Sequence, residues 1–374
     1  MNILIALYRY FFWGGLQKDT LRLAEEATKR GHRVTVFTTS WENPPDFITT
    51  VQVKPCGLTN VSRMRHFNEA WMRYRRESGC DVSVAMDRVE GADFYFAADS
   101  CLKAYYKRRK PAWMLKLLPR YRFILGMEEK VCGAASPTIT WYISPFQKKE
   151  FMEEYGTSES HLQELPPGMN PACVRPDEQK ALEIRQAVRQ ELGIRDDEKA
   201  LVLVGTNILR KGMDRLLAAA ASLPTELRSK VRVVIVGNND AGKLEAIAGK
   251  LGVWQQCILT GARKDVDRIL LASDLMVHPA REEGTGTVLV EGIASGVPVI
   301  CSACCGFSPY VEAAAGLVTP EPFEQKALDT MLLDALQHLP VLTAKTRQYA
   351  QMHDFTKRQT VMVDNLEEFY KRKQ

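Results

Sequence analysis

Short apolar runs alternate with longer stretches of helical periodicity along most of this chain, and this alternation restricts the fold more than any other feature. The first run covers residues 2–7, a helical stretch follows it to about Gly31, and a second apolar run begins at Arg33. Strands alternating with helices form βαβ units, so we predict an α/β protein with mainly parallel sheets. Further strands are predicted at residues 81–86, 94–97, 138–143, 200–205, 232–237, 257–260, 274–278 and 297–300, and a helix at 210–223.

The alternation is interrupted at Pro166-Pro167-Gly168 and then starts again. Consecutive prolines followed by glycine break regular structure, and 374 residues exceed the usual size of one domain. We therefore predict two doubly wound Rossmann-like domains, residues 1–165 and 166–353, which would face each other across a cleft. Residues 354–374 are predicted to form a helix that packs back on the first domain.

Apolar runs and cysteines both favour a cytoplasmic protein. No run has the length of a membrane-spanning helix or the pattern of a signal peptide. Nine cysteines, an odd number, favour free thiols over a disulfide framework. Cys301, Cys304 and Cys305 lie close together, but no second pair has zinc-site spacing. We interpret them as small buried side chains rather than metal ligands.

The net charge of +5 is concentrated in the first half of the chain. Residues 1–165 carry 24 Lys and Arg against 19 Asp and Glu, whereas the rest carries 26 of each. Residues 103–130 alone hold nine basic side chains against two acidic ones, interleaved with aromatic residues. This composition favours an anionic membrane surface. Single-stranded nucleic acid and an ordinary surface helix with buried aromatic residues are the alternatives.

Glu283 and Glu291 lie in a segment that is otherwise small and apolar. A carboxylate in such a run is costly to bury unless a donor meets it, and a ligand hydroxyl is one candidate. Gly284 and Gly286 permit close backbone approach, and the helix predicted after them would offer free N–H groups to a phosphate. The segment therefore suits a sugar nucleotide. The alternative is that both glutamates face solvent.

Arg210 and Lys211 follow the strand predicted at residues 200–205, at the carboxyl edge of the sheet. Two cations in this position can hold a pyrophosphate. The alternative is the solvated start of a helix, although cations are mildly unfavourable there.

Two acids of the first domain are candidates for the reacting centre. Asp99 follows the strand predicted at residues 94–97, where active-site groups collect. Its alternative is to cap the next helix. Asp19 lies near the start of the first helix, where stabilising the helix dipole is an equal alternative.

Taken in order, Arg210-Lys211, Gly261-Ala262-Arg263 and Glu283-x7-Glu291 resemble the signature of glycosyltransferase family 4, whose members have the GT-B fold. Residues 8–19 are similar to the branch of this family that acts on lipopolysaccharide-core heptose, and the resemblance covers essentially the whole chain. It implies a retaining enzyme that transfers a hexose, expected to be glucose, from a UDP-sugar to this heptose.

The resemblance also implies roles for individual residues. Glu291 would accept hydrogen bonds from the ribose, Arg263 would lie by the uracil, and Lys211 would hold the pyrophosphate with Arg210. Glu283 would hold the sugar. The residues expected to bind the donor are Gly14, Gly15, Arg210, Lys211, Arg263, Glu283, Gly284, Thr285, Gly286, Thr287, Val288 and Glu291. Those expected at the reacting centre are Asp99, Asp19 and Glu283.

The resembled enzymes work on a lipid-anchored acceptor, which assigns the basic segment to an anionic membrane surface and not to nucleic acid. The protein is thus expected at the inner face of the cytoplasmic membrane, peripherally bound. The positions assigned to the membrane and acceptor surface are Lys103, Lys107, Arg108, Arg109, Lys110, Trp113, Lys116, Arg120 and Arg122.

No metal or other cofactor is expected. Asp265-x-Asp267 has the metal-binding spacing of other glycosyltransferases, but Asp265 is interpreted as a helix cap. Arg175 departs from the resembled pattern because the family has its arginine closer to Gly168, so we expect Arg175 to lie outside the site. The alternatives are another UDP-sugar or another lipid or polysaccharide acceptor, a UDP-sugar epimerase of the same fold, and a non-catalytic binding module.

Overall fold

A computed structural model describes residues 1–11, 15–237 and 241–374 and divides the chain into two units. Unit 1 comprises Met1–Pro166 and Lys357–Gln374, and unit 2 comprises Pro167–Thr356. Each unit has its own parallel sheet and its own hydrophobic core. Gly14, which was predicted to bind the donor, lies outside the described residues.

The strands of unit 1 are β1 (Asn2–Ala6), β2 (Arg33–Thr38), β3 (Ile48–Gln52), β4 (Val82–Ala85), β5 (Phe94–Phe96), β6 (Ile139–Tyr142) and β7 (Leu162–Glu164). Its first helices are α1 (Gly15–Lys29), α2 (Asn60–Glu77), α3 (Leu102–Lys107), α4 (Ala112–Leu117), α5 (Pro119–Cys132) and α6 (Pro145–Tyr155). The sheet has the order β3-β2-β1-β4-β5-β6-β7, with parallel pairing.

The apolar pattern of the central strands follows from this order. Ile3, Leu4 and Ile5 of β1 are at most 1% exposed on either face. A central parallel strand is covered by helices on both faces, so it needs a continuous apolar run rather than alternation. In α1, Leu23, Ala24 and Ala27 are buried at helical spacing, as expected for a helix that covers a sheet.

The strands of unit 2 are β8 (Lys199–Val204), β9 (Val231–Val236), β10 (Cys257–Gly261), β11 (Leu275–His278), β12 (Val299–Ser302) and β13 (Leu317–Thr319). Its helices are α7 (Glu178–Glu191), α8 (Met213–Ser222), α9 (Thr225–Arg228), α10 (Ala241–Lys250), α11 (Val266–Ala272), α12 (Thr287–Ala294), α13 (Ser308–Ala313), α14 (Gln325–Gln337) and α15 (Leu339–Met352). The sheet has the order β10-β9-β8-β11-β12-β13 and is parallel.

The last helix, α16 (Arg358–Lys373), belongs to unit 1 and packs against α1. Arg30 at the end of α1 donates to Asp364 over 2.6 Å, and Nε2 of His32 lies 2.8 Å from Glu367. The buried face of α16 includes Met362, Val363 and Leu366, together with Arg358 in its first turn. Unit 1 is therefore assembled from the two ends of the sequence.

Three strands and one helix start differ from the predictions. β3, β7 and β13 were not predicted, and all three lie at sheet edges. Edge strands are short and partly exposed, so they lack the continuous apolar run that marks a central parallel strand. The helix predicted from Arg210 begins at Met213, because residues 210–212 form a turn.

Candidate functional site

Most of the predicted donor residues lie at the carboxyl ends of β8 and β11 in unit 2. The sheet order reverses between these two strands, and α/β proteins bind ligands at such a switch point. Arg210 and Lys211 lie in the turn after β8, and His278 is the last residue of β11. The loop from β11 to α12 carries Glu283.

Lys211 and Glu283 form a buried ion pair at the centre of this site. Nζ of Lys211 donates to Oε2 of Glu283, and each side chain is only 11% exposed. Nε2 of His278 lies 3.3 Å from the same oxygen. Burial, together with the charges of Lys211 and Arg210, lowers the pKa of His278 to about 3. The imidazole is therefore neutral, and its Nε2–H donates to Glu283.

The backbone of Glu283 is held by the segment that follows β12. Glu283 and Cys305 form a parallel β-bridge, and the N–H of Gly306 donates to the carbonyl of Glu283 over 3.2 Å. The N–H of Phe307 donates to the carbonyl of Thr285 over 2.8 Å. The carboxylate therefore projects from a loop whose backbone is held at Glu283 and Thr285, which orients it before a ligand arrives.

The turn that carries Arg210 and Lys211 packs closely against the end of β11. Gly212 has a φ of +83°, and a Cβ there would lie 1.9 Å from the carbonyl oxygen of Pro279. Only glycine fits so close an approach. The guanidinium of Arg210 donates to the carbonyl of Glu282 over 3.2 Å. Both cations thus lie beside the Glu283 loop, although they precede the helix rather than open it.

Helix α12 starts at the end of the Glu283 loop. Gly286 is the N-cap residue of the helix and has a φ of +86°, a backbone conformation that favours glycine. It has no side chain to cap the helix by a hydrogen bond. Thr287 and Val288 are the first helical residues, whose N–H groups have no intrahelical acceptor. Glu291 lies about one turn further on. It is half-buried, and its Oε1 accepts the N–H of Asn170 over 3.3 Å.

Arg263, the predicted uracil neighbour, contacts two carboxylates in unit 2. Its guanidinium donates to Asp265 through two bonds of 2.8 Å and to Glu191 over 2.7 Å. The cap prediction for Asp265 was wrong in its bonding: the residue directly precedes α11, but its side chain makes no cap hydrogen bond and binds Arg263 instead. The role of Arg263 toward a base stays a prediction.

The two candidate acids of unit 1 differ in their surroundings. Asp19 accepts hydrogen bonds from Arg358 over 3.3 Å and from Gln359 over 3.0 Å, which ties α16 to α1. Asp99 is exposed after β5, and its backbone carbonyl accepts from Gln147 over 2.9 Å. Helix α3 has no side-chain cap, so Asp99 does not serve as one. The catalytic roles of Asp19 and Asp99 stay predictions.

A cavity of about 240 Å³ in unit 1 contains residues that the sequence analysis did not assign. Tyr8, after β1, and Asp87 with Arg88, after β4, line it among apolar side chains. Asp87 accepts the N–H of Tyr8 over 2.6 Å, and burial raises the pKa of the Asp87 carboxyl. The sequence did contain one indication of this cavity, because Asp87 directly follows the carboxyl end of the strand predicted at residues 81–86.

The basic segment forms α3, α4 and α5. Trp113 and Leu117 on α4 are 58% and 68% exposed. The tyrosines of the segment pack edge to face instead, with ring centroids 5.3 Å apart for Tyr105 and Tyr106 and 5.0 Å apart for Tyr106 and Tyr121. Among residues 1–11, 15–237 and 241–374, no helix is long and apolar enough to cross a bilayer.

The basic side chains of this segment divide into two groups. Lys103 is only 30% exposed because its ammonium donates to the carbonyl of Glu154, and Lys107 also pairs with Glu154. Arg108 is exposed but pairs with Glu150 over 2.7 Å. The further assigned positions that are exposed are Arg109, Lys110, Lys116, Arg120 and Arg122. The exposed basic surface is therefore centred on α4 and the start of α5.

The cysteine cluster is largely internal. Cys301 and Cys305 are buried, and Cys304 is partly exposed. In the part of the chain that the structure describes, no group of three or more His, Cys, Asp or Glu side chains is placed to hold a metal ion.

Comparison with known proteins agrees with two doubly wound, Rossmann-like units. Residues 184–352 match the family model described as glycosyl transferases group 1. One relative is 35% identical over 360 residues and is matched over 95% of each chain. The chain therefore belongs to the group 1 glycosyltransferases, enzymes of the GT-B fold. That relative is the lipopolysaccharide glucosyltransferase WaaG of Escherichia coli.

Solved structures give the same result. A crystal structure of WaaG, described as a glycosyltransferase involved in lipopolysaccharide biosynthesis, has a TM-score of 0.83 and 33% identity, with 97% of this chain and 99% of that chain covered. Sucrose-phosphate synthase from Thermosynechococcus elongatus has a TM-score of 0.76 at 19% identity, covering 99% of each chain. The second likeness concerns the fold alone.

Proposed function

We propose that this protein transfers glucose from UDP-glucose to a heptose of the lipopolysaccharide core, with retention of the anomeric configuration. The observation that carries the proposal is the buried Lys211–Glu283 pair beside the N-terminus of α12. It combines a cation for a diphosphate with an acceptor for sugar hydroxyls. The similarity to a lipopolysaccharide glucosyltransferase supports the choice of glucose and of the acceptor.

Donor binding would exchange the partners of this ion pair. The ammonium of Lys211 would turn to the diphosphate, which the guanidinium of Arg210 and the free N–H groups of Thr287 and Val288 would also meet. Glu283 would then accept hydrogen bonds from the hexose hydroxyls. Because both groups are already desolvated and paired, neither is left buried and uncompensated in the absence of donor.

Bond cleavage would place negative charge on the diphosphate. The bond between the anomeric carbon and the phosphate oxygen breaks while the heptose hydroxyl bonds to the same face of that carbon. The hydroxyl proton passes to the departing phosphate, so no nucleophile from the protein is required. Lys211, Arg210 and the start of α12 would stabilise the developing charge.

We place the heptose in unit 1, in the cavity lined by Tyr8, Asp87 and Arg88. Its polar groups lie at the carboxyl ends of β1 and β4, the switch point of that sheet. Asp87 would accept a hydroxyl hydrogen bond, and Arg88 would meet an anionic substituent of the core. Asp99 stays the candidate for contacting the reacting hydroxyl.

A donor screen followed by a transfer assay tests the function. We expect UDP and UDP-glucose to raise the melting temperature more than GDP- or ADP-sugars do. UDP release should then depend on a heptose-terminated core acceptor. Conversion of a UDP-sugar to its epimer without acceptor would replace this proposal with an epimerase, and UDP-sugar binding without transfer or hydrolysis would replace it with a binding module.

The pH dependence of donor use should report Lys211. Burial, followed by the charge of Arg210, lowers the pKa of Lys211 to about 8. Only the protonated amine attracts a diphosphate, so kcat/KM for the donor should fall as pH rises above about 8, by up to about tenfold per pH unit. Steady-state kinetics with varied UDP-glucose measure this. Lys211→Arg should remove this decline, and an identical decline in that variant would assign the titration elsewhere.

The reaction is proposed to be independent of metal. Lys211 and Arg210 supply positive charge at the diphosphate, which is the role a divalent cation would otherwise have. Treatment with excess EDTA should change turnover by less than about twofold. A larger loss of turnover that is reversed by Mg²⁺ or Mn²⁺ would contradict metal independence.

We further propose that α4 binds the cytoplasmic surface of an anionic membrane. Trp113 and Leu117 would insert at the interface, and Lys110, Lys116 and Arg120 would meet the headgroups. Trp113→Ala combined with Leu117→Ser should lower vesicle partitioning about tenfold or more, because two apolar side chains are lost. Co-sedimentation with vesicles of rising anionic lipid content measures this.

The matched control for the membrane experiment removes exposed apolar surface elsewhere. Val341→Ser with Met352→Ala alters two exposed side chains of α15 in unit 2 and should leave partitioning unchanged. Equal partitioning of the wild-type protein into neutral vesicles would contradict the electrostatic part of the proposal.

A further inference from the structure

A second cavity in unit 2 has an unusual density of guanidinium groups. It measures about 220 Å³ and is lined by Arg175, Arg185 and Arg347. Leu271, Ser273 and Gly296 form part of its wall, which places it by the C-terminal ends of α11 and α12. None of the residues proposed to bind the donor lines this cavity.

The guanidinium of Arg185 is engaged in hydrogen bonds within unit 2, which explain its presence at the cavity. One of its nitrogens, Nη1, donates to the carbonyls of Ala272 and Ser273, each over 3.1 Å, and Nη2 donates to Asp274 over 2.7 Å. Arg189 binds the second oxygen of Asp274 over 3.1 Å. Asp274 therefore already serves two arginines.

Arg175 and Arg347 are less well compensated. Arg175 donates to the carbonyl of Ser295 over 3.4 Å and to Glu178, and Arg347 donates to the same Glu178 over 3.3 Å. The Glu178 side chain is 70% exposed, and ion pairs to exposed carboxylates contribute little. Nε of Arg347 is buried without a partner among the described residues. The three arginines that line the cavity face only two carboxylates, Asp274 and Glu178, an excess of one positive charge, and Asp274 is shared with Arg189 outside the lining.

The backbone leaves room for these two arginines to converge. Gly296 follows α12, and a Cβ at this position would lie 2.8 Å from Cγ of Arg347 and 3.3 Å from Cδ of Arg175. Burial and then the charge of Arg175 lower the pKa of Arg347, as expected for crowded cations. Capping of the helix ends explains Arg185 and one bond of Arg175, but it does not explain Arg347.

We propose that this arginine cavity binds a phosphate-bearing anion, either inorganic phosphate or a small phosphomonoester. Converging guanidinium forks suit a tetrahedral oxyanion with several acceptor oxygens. A bound anion would offset the excess charge, and it would offer Nε of Arg347 an acceptor. Glu178 would be released to solvent, where it is already largely exposed.

Calorimetric titration of the full chain with inorganic phosphate and, separately, with glycerol phosphate at low ionic strength tests the proposal. Arg175→Gln combined with Arg347→Gln should weaken binding about tenfold or more, since two charge-assisted contacts are lost. Lys345→Gln removes the same type of charge from an exposed position on the same helix and should bind as wild type does. The tighter of the two ligands identifies the source of the phosphate group.

Thr343→Glu provides a variant that removes no arginine. Thr343 lines the cavity, so a carboxylate there should abolish phosphate binding while it preserves or raises the melting temperature. If the double arginine variant fails to fold, Thr343→Glu still tests whether phosphate binds in this cavity. Phosphate bound at the donor site would be unaffected by any of these changes. Absence of binding to the wild type, or unchanged binding in Thr343→Glu, would overturn the proposal.

Discussion

Replacing Glu283 by alanine should lower the turnover of hexose transfer by about 10²- to 10³-fold, the loss typical of removing one preorganised polar group from an active site. The carboxylate accepts from Lys211 and His278 and lies on a loop bridged to Cys305. Its loss would remove the sugar's acceptor. It would also leave the Lys211 ammonium buried without a counter-charge.

Single-turnover transfer at saturating donor measures this loss apart from binding. Glu283→Gln keeps the size of the side chain and a carbonyl acceptor, so it should retain more activity than Glu283→Ala. Glu312→Ala makes the same change at an exposed position of α13 and should behave as wild type. Turnover in Glu283→Ala within about twofold of the control would exclude the proposed role.

Replacing Glu291 by alanine should weaken UDP binding about 10- to 100-fold and leave turnover at saturating donor close to wild type. Hydrogen bonds to a charged acceptor contribute roughly 1.5–3 kcal/mol each, and one carboxylate can meet both ribose hydroxyls. Glu291 is half-buried in α12 beside the backbone of Asn170, so a ribose hydroxyl would meet a carboxylate that is already partly desolvated.

Comparing UDP with 2′-deoxy-UDP isolates the contact that Glu291 makes. The wild type should prefer UDP, and Glu291→Ala should bind the two ligands with similar affinity, since the interaction is absent in both cases. Glu312→Ala should keep the wild-type preference. If Glu291→Ala discriminates as strongly as the wild type, the carboxylate does not bind the ribose.

The sequence predicted the central strands well because burial on both faces imposes a simple pattern. Residues 2–7 and 232–237 are almost uninterrupted apolar runs, and they correspond to β1 and β9. The edge strand β3, Ile-Thr-Thr-Val-Gln, is half polar and follows two prolines, so it resembles a loop. The local sequence shows a strand clearly only where both of its faces are buried, and the edge strand β3 is largely exposed or half-buried.

The candidate site was only partly predictable. Glu283 and Glu291 lie in a small, apolar segment, and Lys211 forms a pair of cations with Arg210 after a predicted strand. Both patterns are visible in a sequence. His278 ends a buried strand and resembles a core residue, so its contact with Glu283 became visible only when β11 and the following loop were placed in three dimensions. For Asp265 the sequence position was informative but the bonding was not: the residue directly precedes α11, yet its carboxylate accepts from Arg263 and not from the helix.

The basic segment shows a similar limit. Its charge and aromatic content were evident, but composition did not separate Lys103, which packs over Tyr155 with 4.5 Å between Nζ and the ring centroid, from the exposed Lys110. Only Trp113 among the segment's aromatic residues is largely exposed, which narrows the proposed membrane contact to α4.

The position of α16 has a consequence for biosynthesis. Unit 2 is one uninterrupted piece of the chain, whereas unit 1 needs residues from both ends. On the ribosome, unit 2 can be completed while the earlier-made unit 1 still lacks its final helix. Asp19 remains without Arg358 and Gln359 until α16 has been synthesised. Unit 1 therefore begins to be synthesised before unit 2 but is completed after it, and a chain truncated before Lys357 would carry a complete unit 2 attached to an incomplete unit 1.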